Sequence, residues 1–137
     1  MTMWVTTDHV QEINKRFVGP DMLRDFGLLD SAIMRPQASA FGADAYPSLH
    51  EKAGALLQSL ARNHPFVDGN KRTAWATVEI FYQLNGHTLA VSDDQIVSLM
   101  VDIAEGFVDV IGIAGMLKEW AKPFPTSDDW VDLADEE

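Results

Sequence analysis

Two apolar stripes with helical spacing, separated by a short polar connection, are the feature of this chain that most constrains its fold. Apolar residues three or four positions apart lie on one face of an α-helix. The first stripe contains Ala53, Leu56, Leu57, Leu60 and Ala61, and the second contains Ala74, Trp75, Val78, Phe81 and Tyr82. The stripes predict a helix from Pro47-Ser48-Leu49 to about Asn63 and another from about Asn70 to Leu84.

Four shorter stripes precede and follow this pair. Their apolar residues are Val10, Ile13 and Phe17; Leu29, Ile33 and Met34; Ile96, Leu99, Met100 and Ile103; and Ile113, Met116, Leu117 and Trp120. Residues with short polar side chains are good N-caps, so we expect Thr6 or Thr7 to cap the first of these helices, Asp30 the second and Ser92 the third. The last helix is predicted to span about Val110 to Ala121.

The pattern as a whole predicts an all-α fold, a compact single-domain bundle of about six helices with little strand. Residues 1–122 form this domain, and residues 123–137 form an acidic C-terminal tail. Residues 38–48 are rich in small side chains and form either a simple connector or a flap over a partner. Residues 87–91 are expected to be a short extended link.

Composition narrows the class of function. The 137 residues fit one domain, and they include no cysteine, which excludes disulfides and thiol chemistry. The net charge is −11, and an acidic chain is poorly suited to non-specific nucleic-acid binding, so we expect no direct nucleic-acid partner. No apolar run approaches the ~20 residues of a membrane span and no signal peptide is recognisable. A cytoplasmic protein is the default expectation.

The connection between the two central helices, RNHPFVDGNKRT at residues 62–73, holds more reactive groups than a connection needs. A histidine exchanges protons near neutral pH, so His64 can accept a proton from a hydroxyl group. A carboxylate is a hard oxygen ligand, so Asp68 can hold a Mg²⁺ ion that bridges phosphate oxygens. We therefore expect a base and a metal-binding carboxylate in one loop.

The second half of this connection favours anions. The first turn of a helix offers backbone N–H groups without internal partners and the positive end of the helix dipole. Gly69 lets a phosphate approach the backbone because it has no Cβ, and Asn70 can cap the helix and donate from its amide. Lys71 and Arg72 add positive charge. Each residue alone has an ordinary explanation as a turn, a cap or a solvated cation, but the combination predicts phosphoryl or nucleotidyl transfer.

The string HPFVDGNKRTA resembles the motif of the Fic/Doc family, H-x-F-x-(D/E)-(A/G)-N-(K/G)-R. RDFGLLDSAIMRPQ at residues 24–37 and YPSLHEKAGALL at residues 46–57 are similar to the Doc type, the death-on-curing members. The resemblance covers nearly all of residues 4–121. It implies a compact, mostly helical bundle, in agreement with the periodicity.

At two positions this chain differs from the commoner pattern of the family, and the differences bear on which group of ATP is transferred. Most Fic proteins have Gly after the motif Asn and a second Arg three residues beyond the first, and they transfer AMP from ATP to a protein hydroxyl. Here Lys71 and Trp75 stand at those places, as in Doc toxins. The resemblance therefore implies a toxin kinase that transfers the γ-phosphoryl group of ATP to elongation factor Tu and arrests translation. The alternatives are a protein AMP transferase and a Fic-fold binding module without catalysis.

Carried over position by position, the resemblance makes His64 the catalytic base and Asp68 the Mg²⁺ ligand. It assigns contacts with the phosphates of ATP to Gly69, Asn70, Lys71 and Arg72, and it counts Lys71 and Arg72 as catalytic too. Arg62 either joins these contacts or lies on the surface, and Phe66 anchors the loop in the core.

Regulation is expected to come from a separate protein. Many Fic proteins contain an inhibitory helix resembling (S/T)-x-x-x-E-(G/N). The nearest candidate here is Glu105-Gly106, but Val101 stands where Ser or Thr is needed. The resemblance implies instead a Phd-like antitoxin with a segment that folds into a groove on the toxin.

Overall fold

The computed structural model describes residues 1–124, and these residues form six α-helices with two small two-stranded sheets. The all-α prediction is confirmed. The helices are α1 (Thr7–Val18), α2 (Phe26–Met34), α3 (Leu49–Asn63), α4 (Asn70–Leu84), α5 (Asp93–Glu105) and α6 (Val110–Trp120). The strands are β1 (Ser39–Ala40), β2 (Ala43–Asp44), β3 (His87–Leu89) and β4 (Ala121–Pro123).

Helix α3 lies at the centre of the bundle and packs against α2, α4, α5 and α6. Its predicted stripe is fully buried, and its other faces are largely buried too. Gly54 lets α6 come close, because a Cβ there would lie 3.0 Å from the Val110 carbonyl oxygen. Burial of each large apolar side chain stabilises the fold by about 1.5–3 kcal/mol. The packing of α3 against α4 therefore fixes the two ends of the connection relative to each other.

Five of the six helices within residues 1–124 begin with a side chain that accepts a hydrogen bond from the first turn. The capping residues are Thr6, Asp25, Ser48, Ser92 and Asp109. The prediction of Asp30 as a cap is wrong, because Asp25 Oδ1 accepts from the Leu28 N–H at 3.0 Å and α2 already contains Asp30. Such a cap contributes about 1 kcal/mol. Helix α4 has no side-chain cap.

Two predicted apolar faces differ from the structure. In α2, Leu29 and Ile33 are buried, but Met34 is 52% exposed, since it lies at the last position and about 100° around the helix from Ile33. In α1 the buried residues are Val10 and Asn14, whereas Phe17 is 38% exposed. The inner face of α1 therefore carries a buried amide.

The predicted loop at residues 38–48 contains the short ribbon β1–β2. Its two tip residues, Phe41 and Gly42, both have positive φ, as a tight hairpin turn requires. Lys52, which is 6% exposed, holds the base of the ribbon: its Nζ donates to Asp44 Oδ2 at 3.0 Å and to the carbonyl oxygen of Tyr46. The role of these residues as a connector or a flap stays a prediction.

The predicted link at residues 87–91 contains β3, which pairs antiparallel with β4. The Phe124 N–H extends this pairing with a bond of 2.8 Å to the Gly86 carbonyl oxygen. Strand β4 thus runs across the proposed division between residues 122 and 123, and that division stays a prediction. The rest of the acidic tail, residues 125–137, lies outside the described residues. Up to residue 124, no helix combines the length and the apolar character that a membrane crossing requires.

Candidate active site

The connection between α3 and α4 begins with a residue in an uncommon backbone conformation. His64 follows the last turn of α3 with φ 49° and ψ 57°, the left-handed region that a residue with a Cβ rarely adopts. Its side chain is exposed. Phe66, two residues on, is 3% exposed and belongs to the core, as predicted. The connection is therefore anchored in the core while its first reactive side chain faces outward.

A segment before α2 supports this turn. Arg24 Nε donates to the His64 carbonyl oxygen at 3.0 Å, and Arg24 Nη2 donates to the same oxygen and to that of Asn63 at 3.3 Å. The Arg24 N–H also donates to the Pro65 carbonyl oxygen at 2.8 Å, and the Val67 N–H donates to that of Met22 at 2.8 Å. Residues 22–25 therefore lie alongside residues 64–67 like an extra strand.

Asn70 fixes the middle of the connection. Its Nδ2 donates to the Phe66 carbonyl oxygen at 2.8 Å, and its Oδ1 accepts from the Phe66 N–H at 3.0 Å. The prediction that Asn70 caps α4 is wrong, because its carboxamide folds back onto the loop and Gly69 occupies the cap position. Its predicted phosphate contact stays a prediction.

Gly69 is held tightly between the connection and α1. It has φ 75°, and an added Cβ would lie 3.0 Å from Val18 Cγ1 and 3.3 Å from Asn14 Nδ2. The Gly69 N–H donates to Asp68 Oδ1 at 2.7 Å. A Cβ at this position would therefore crowd α1, whatever approaches from outside.

The first turn of α4 is free of side-chain caps. The Thr73 N–H makes the first bond of the helix, to the Gly69 carbonyl oxygen at 2.9 Å, so the preceding N–H groups point out of the helix end. Asp68 and Lys71 are exposed beside them. An anion at this end would meet backbone donors and the positive end of the dipole.

Two cations continue along the first turn of α4. Lys71 and Arg72 are both exposed, and Arg72 Cζ lies 4.5 Å from the centre of the Phe17 ring, which favours a cation–π contact. Both line the mouth of an apolar groove of about 370 Å³ between α4 and α5. Trp75 forms part of its wall; it is 7% exposed, packs edge-on against Trp120 and donates its indole N–H to Glu79.

Arg62 has another contact in the structure. Its Nη1 donates to the carbonyl oxygens of Ile103 at 2.9 Å and Ala104 at 3.2 Å, and so caps the C-terminal end of α5. Gly106 ends that helix with φ 78° and leaves room for the guanidinium, since an added Cβ would lie 3.3 Å from Nη1. Glu105 and Gly106 thus form a helix end. The predicted phosphate contact of Arg62 stays a prediction.

The connection offers a metal ion a single carboxylate, that of Asp68. Within residues 1–124 no group of three or more His, Cys, Asp or Glu side chains is arranged to hold a metal. Asp68 fits Mg²⁺ as one exposed carboxylate beside a helix end without a side-chain cap, because Mg²⁺ is commonly held by one or two carboxylates, phosphate oxygens and water.

Sequence reasoning missed two side chains that hold the connection, Arg24 and Asn14. Arg24 lies in the stretch 24–37, which carries part of the resemblance but no predicted role in the site. Asn14 falls one turn after Val10 on the inner face of α1, where a polar residue is a visible signal. Its Nδ2 donates to the Asp68 carbonyl oxygen at 3.0 Å and to Thr73 Oγ1 at 3.1 Å.

Comparison with known proteins identifies the family. Residues 4–82, more than half of the chain, match the Fic/DOC family. The chain is 51% identical over 107 residues to Toxin Doc of Mycolicibacterium smegmatis, an alignment that covers 77% of this chain and 82% of that protein. It is 30% identical over 103 residues to Protein kinase doc of Escherichia phage P1, covering 75% and 80% respectively. The chain therefore belongs to the Fic/DOC family, as a member of the Doc type.

Proposed function

We propose that this chain is the toxin of a toxin–antitoxin pair and acts as a kinase that transfers the γ-phosphoryl group of ATP to a hydroxyl of elongation factor Tu. The relatives named Toxin Doc and Protein kinase doc support the toxin and kinase parts of this proposal. The observation that carries it is the first turn of α4, which has no side-chain cap and contains the exposed Lys71 and Arg72, with His64 and Asp68 exposed in the connection just before it.

Each residue has a definite part in this reaction. His64 accepts the proton of the target hydroxyl as its oxygen bonds to the γ-phosphorus, and the bond from that phosphorus to the β-phosphate bridging oxygen breaks to release ADP. Asp68 would hold Mg²⁺, which neutralises phosphate charge when bound. The N–H groups of the first turn, Lys71 and Arg72 hold the phosphate oxygens, so catalysis rests on positioning and charge.

Two positions favour phosphoryl transfer over AMP transfer. At Trp75, where AMP transferases of the family have a second Arg, the side chain is packed in the core and its N–H is directed to Glu79, so this position supplies no cation. At Lys71, a long cationic side chain replaces the Gly that leaves the phosphate site open. We propose that the Lys71 side chain occupies part of this phosphate site. The triphosphate then binds in a different position and presents its γ-phosphorus.

Label transfer tests the reaction. Purified protein, Mg²⁺ and elongation factor Tu are incubated with ATP labelled on either the γ- or the α-phosphate. We expect γ-label on the factor and none with His64→Ala. α-Label would make the protein an AMP transferase, and no label from either position would favour another target or the binding module. In Lys71→Gly we expect γ-transfer to fall; unchanged transfer would show that Lys71 does not set the reaction.

Growth tests the toxin part of the proposal. Induced expression of the native chain in a bacterium should arrest growth, and His64→Ala at equal protein level should not. If the native chain and the variant arrest growth equally, the effect does not depend on the proposed chemistry. If neither arrests growth, the toxin assignment fails.

We also propose that a Phd-like antitoxin occupies the apolar groove between α4 and α5. Val97 and Val101 are exposed along this groove, and Lys71 and Arg72 at its mouth suit an occupant with apolar and acidic side chains. An occupant there would cover both cations. Val97→Asp should keep the toxin active but resist neutralisation by its antitoxin. Ile111→Asp, at another exposed apolar site, on α6 and outside this groove, is the control and should still be neutralised.

A further inference from the structure

Two side chains from outside the α3–α4 connection hold its two reactive residues by their backbones. Arg24 holds the carbonyl oxygen of His64, and Asn14 holds the carbonyl oxygen of Asp68. In both cases the side chain of the reactive residue is left exposed. The backbone of each residue is thus held in place, while the side chain that is proposed to act in the reaction stays exposed.

Arg24 stabilises a conformation that His64 would not adopt unaided. A residue with a Cβ persists in the left-handed region only where its surroundings fix it. Hydrogen bonds from a guanidinium are strong because the donor is charged, and here both Nε and Nη2 converge on one carbonyl oxygen. The direction of that carbonyl fixes the peptide plane after His64 and therefore the direction in which its side chain leaves the backbone.

Asn14 acts on a single peptide unit at the other end of the connection. This side chain is 2% exposed, and its Nδ2 donates both to the Asp68 carbonyl oxygen and to Thr73 Oγ1, so it ties the loop to α4. The same peptide unit includes the Gly69 N–H, which donates to Asp68 Oδ1 at 2.7 Å. Holding the carbonyl therefore also orients the carboxylate through its Oδ1.

We propose that Arg24 and Asn14 are positioning residues with separate effects, Arg24 for the base His64 and Asn14 for the metal-binding carboxylate Asp68. This inference rests on the proposed function. It predicts that the two halves of the site fail independently: loss of Asn14 weakens metal binding, and loss of Arg24 slows transfer while metal binding is kept.

The test compares Asn14→Leu, Arg24→Met and a matched control, Thr73→Val. Thr73→Val removes the other partner of Asn14, in the same buried network, but leaves the bond to Asp68 in place. Mn²⁺ binding in the presence of ADP is measured by electron paramagnetic resonance, and kcat and KM are measured by γ-label transfer. Denaturant unfolding of each variant reports on the fold.

We expect Asn14→Leu to weaken Mn²⁺ binding at least about 10-fold, as loss of a residue that orients a metal ligand usually does. Arg24→Met should lower kcat about 10-fold or more with KM and Mn²⁺ affinity unchanged, and Arg24→Lys should recover part of the loss. Thr73→Val should change neither quantity. If Asn14→Leu does not fold, Asn14→Ser, whose hydroxyl is too short to reach both partners, replaces it with the same expectation.

Equal Mn²⁺ weakening in Asn14→Leu and Thr73→Val would overturn the role of Asn14, because it would be only structural. A fall in Mn²⁺ affinity in Arg24→Met equal to the fall in kcat would overturn the separation of the two effects. The variants are compared with a native chain that binds Mn²⁺ and transfers label. A native chain that does neither overturns the proposed function, and this inference with it.

Discussion

The two ends of the α3–α4 pair contain similar residue types but use them in opposite ways. At the end that contains the connection, neighbouring side chains bind the backbone, and the imidazole of His64 is exposed. At the other end, the His50 ring and the Tyr82 hydroxyl bind each other at 2.8 Å, and Tyr82 is fully buried. A histidine whose backbone is held is available for chemistry, whereas one whose ring is held supports the fold.

Protonation at the His50–Tyr82 end is set mainly by burial. Burial raises the pKa of Tyr82 well above its ordinary value of 10.0, so the hydroxyl stays neutral. Burial, and then the neighbouring charges of His87 and Lys118, lower the pKa of His50 below 6.5. The groups at this end are thus kept neutral and hydrogen-bonded, which is what a structural polar cluster requires.

Removing one imidazole from each end tests the division between the two ends with the largest expected effect. His64→Ala should lower the rate of phosphoryl transfer at least about 100-fold, because general base catalysis contributes that much, with little change in the free energy of unfolding, since the ring is exposed. His50→Gln should keep the transfer rate. Comparable losses of rate in both variants would mean that the ends are not divided in this way.

A second test compares two glycines with similar backbone angles. Gly86→Ala, with φ 83° and open space around the added Cβ, should lower the free energy of unfolding by about 1 kcal/mol, from backbone strain alone. Gly69→Ala meets the same strain and also Val18 and Asn14, so it should lose about 2 kcal/mol or more and slow transfer. Chemical denaturation measures both variants, and equal losses would show that α1 yields readily.

Removing the hydrogen bond between His50 and Tyr82 should lower the stability of the protein but leave its activity unchanged. Tyr82→Phe deletes the hydroxyl that bonds His50 and should lower the free energy of unfolding by about 1 kcal/mol. The transfer rate, measured well below the unfolding transition, should equal that of the native chain. A variant with native stability and reduced transfer would argue that this cluster communicates with the site.

The smallest expected effect is a dependence of stability on pH. Because the pKa of His50 is lowered in the folded state, the unfolded chain binds its proton more readily, and stability should fall as the pH drops below 6.5. A protonated ring can only donate to the Tyr82 hydroxyl, which narrows the ways in which this bond can be made. The slope of the free energy of unfolding against pH between 7 and 5 should be shallower in His50→Gln. An unchanged slope would mean that other groups cause the pH dependence.

The sequence predicts what depends on neighbours along the chain. The limits of α3 and α4 follow from the apolar period together with local signals such as Ser48, Pro65 and Asn85-Gly86. The reactive string at residues 62–73 is likewise local. Asp25 rather than Asp30 caps α2, although both have the right side chain, because the start of that helix also depends on where residues 22–25 lie against the connection.

The supports of the site could not be predicted because they are remote in sequence. Asn14 and Asp68 are 54 positions apart, and Arg24 and His64 are 40 apart. The pairing of β3 with β4 is remote in the same way. Periodicity shows that a residue lies on an inner face, as it could have shown for Asn14, but the partner of a polar group depends on packing across the whole bundle.

Phosphoryl transfer to a protein is tested most directly by measuring the masses of the proteins modified in cells. Bacteria expressing the native chain or His64→Ala at equal level are compared by intact-protein mass spectrometry, without assuming a target. We expect a protein that gains the mass of one phosphoryl group only with the native chain. A gain of an adenylyl group would contradict the kinase, and growth arrest without any His64-dependent mass change would contradict group transfer itself.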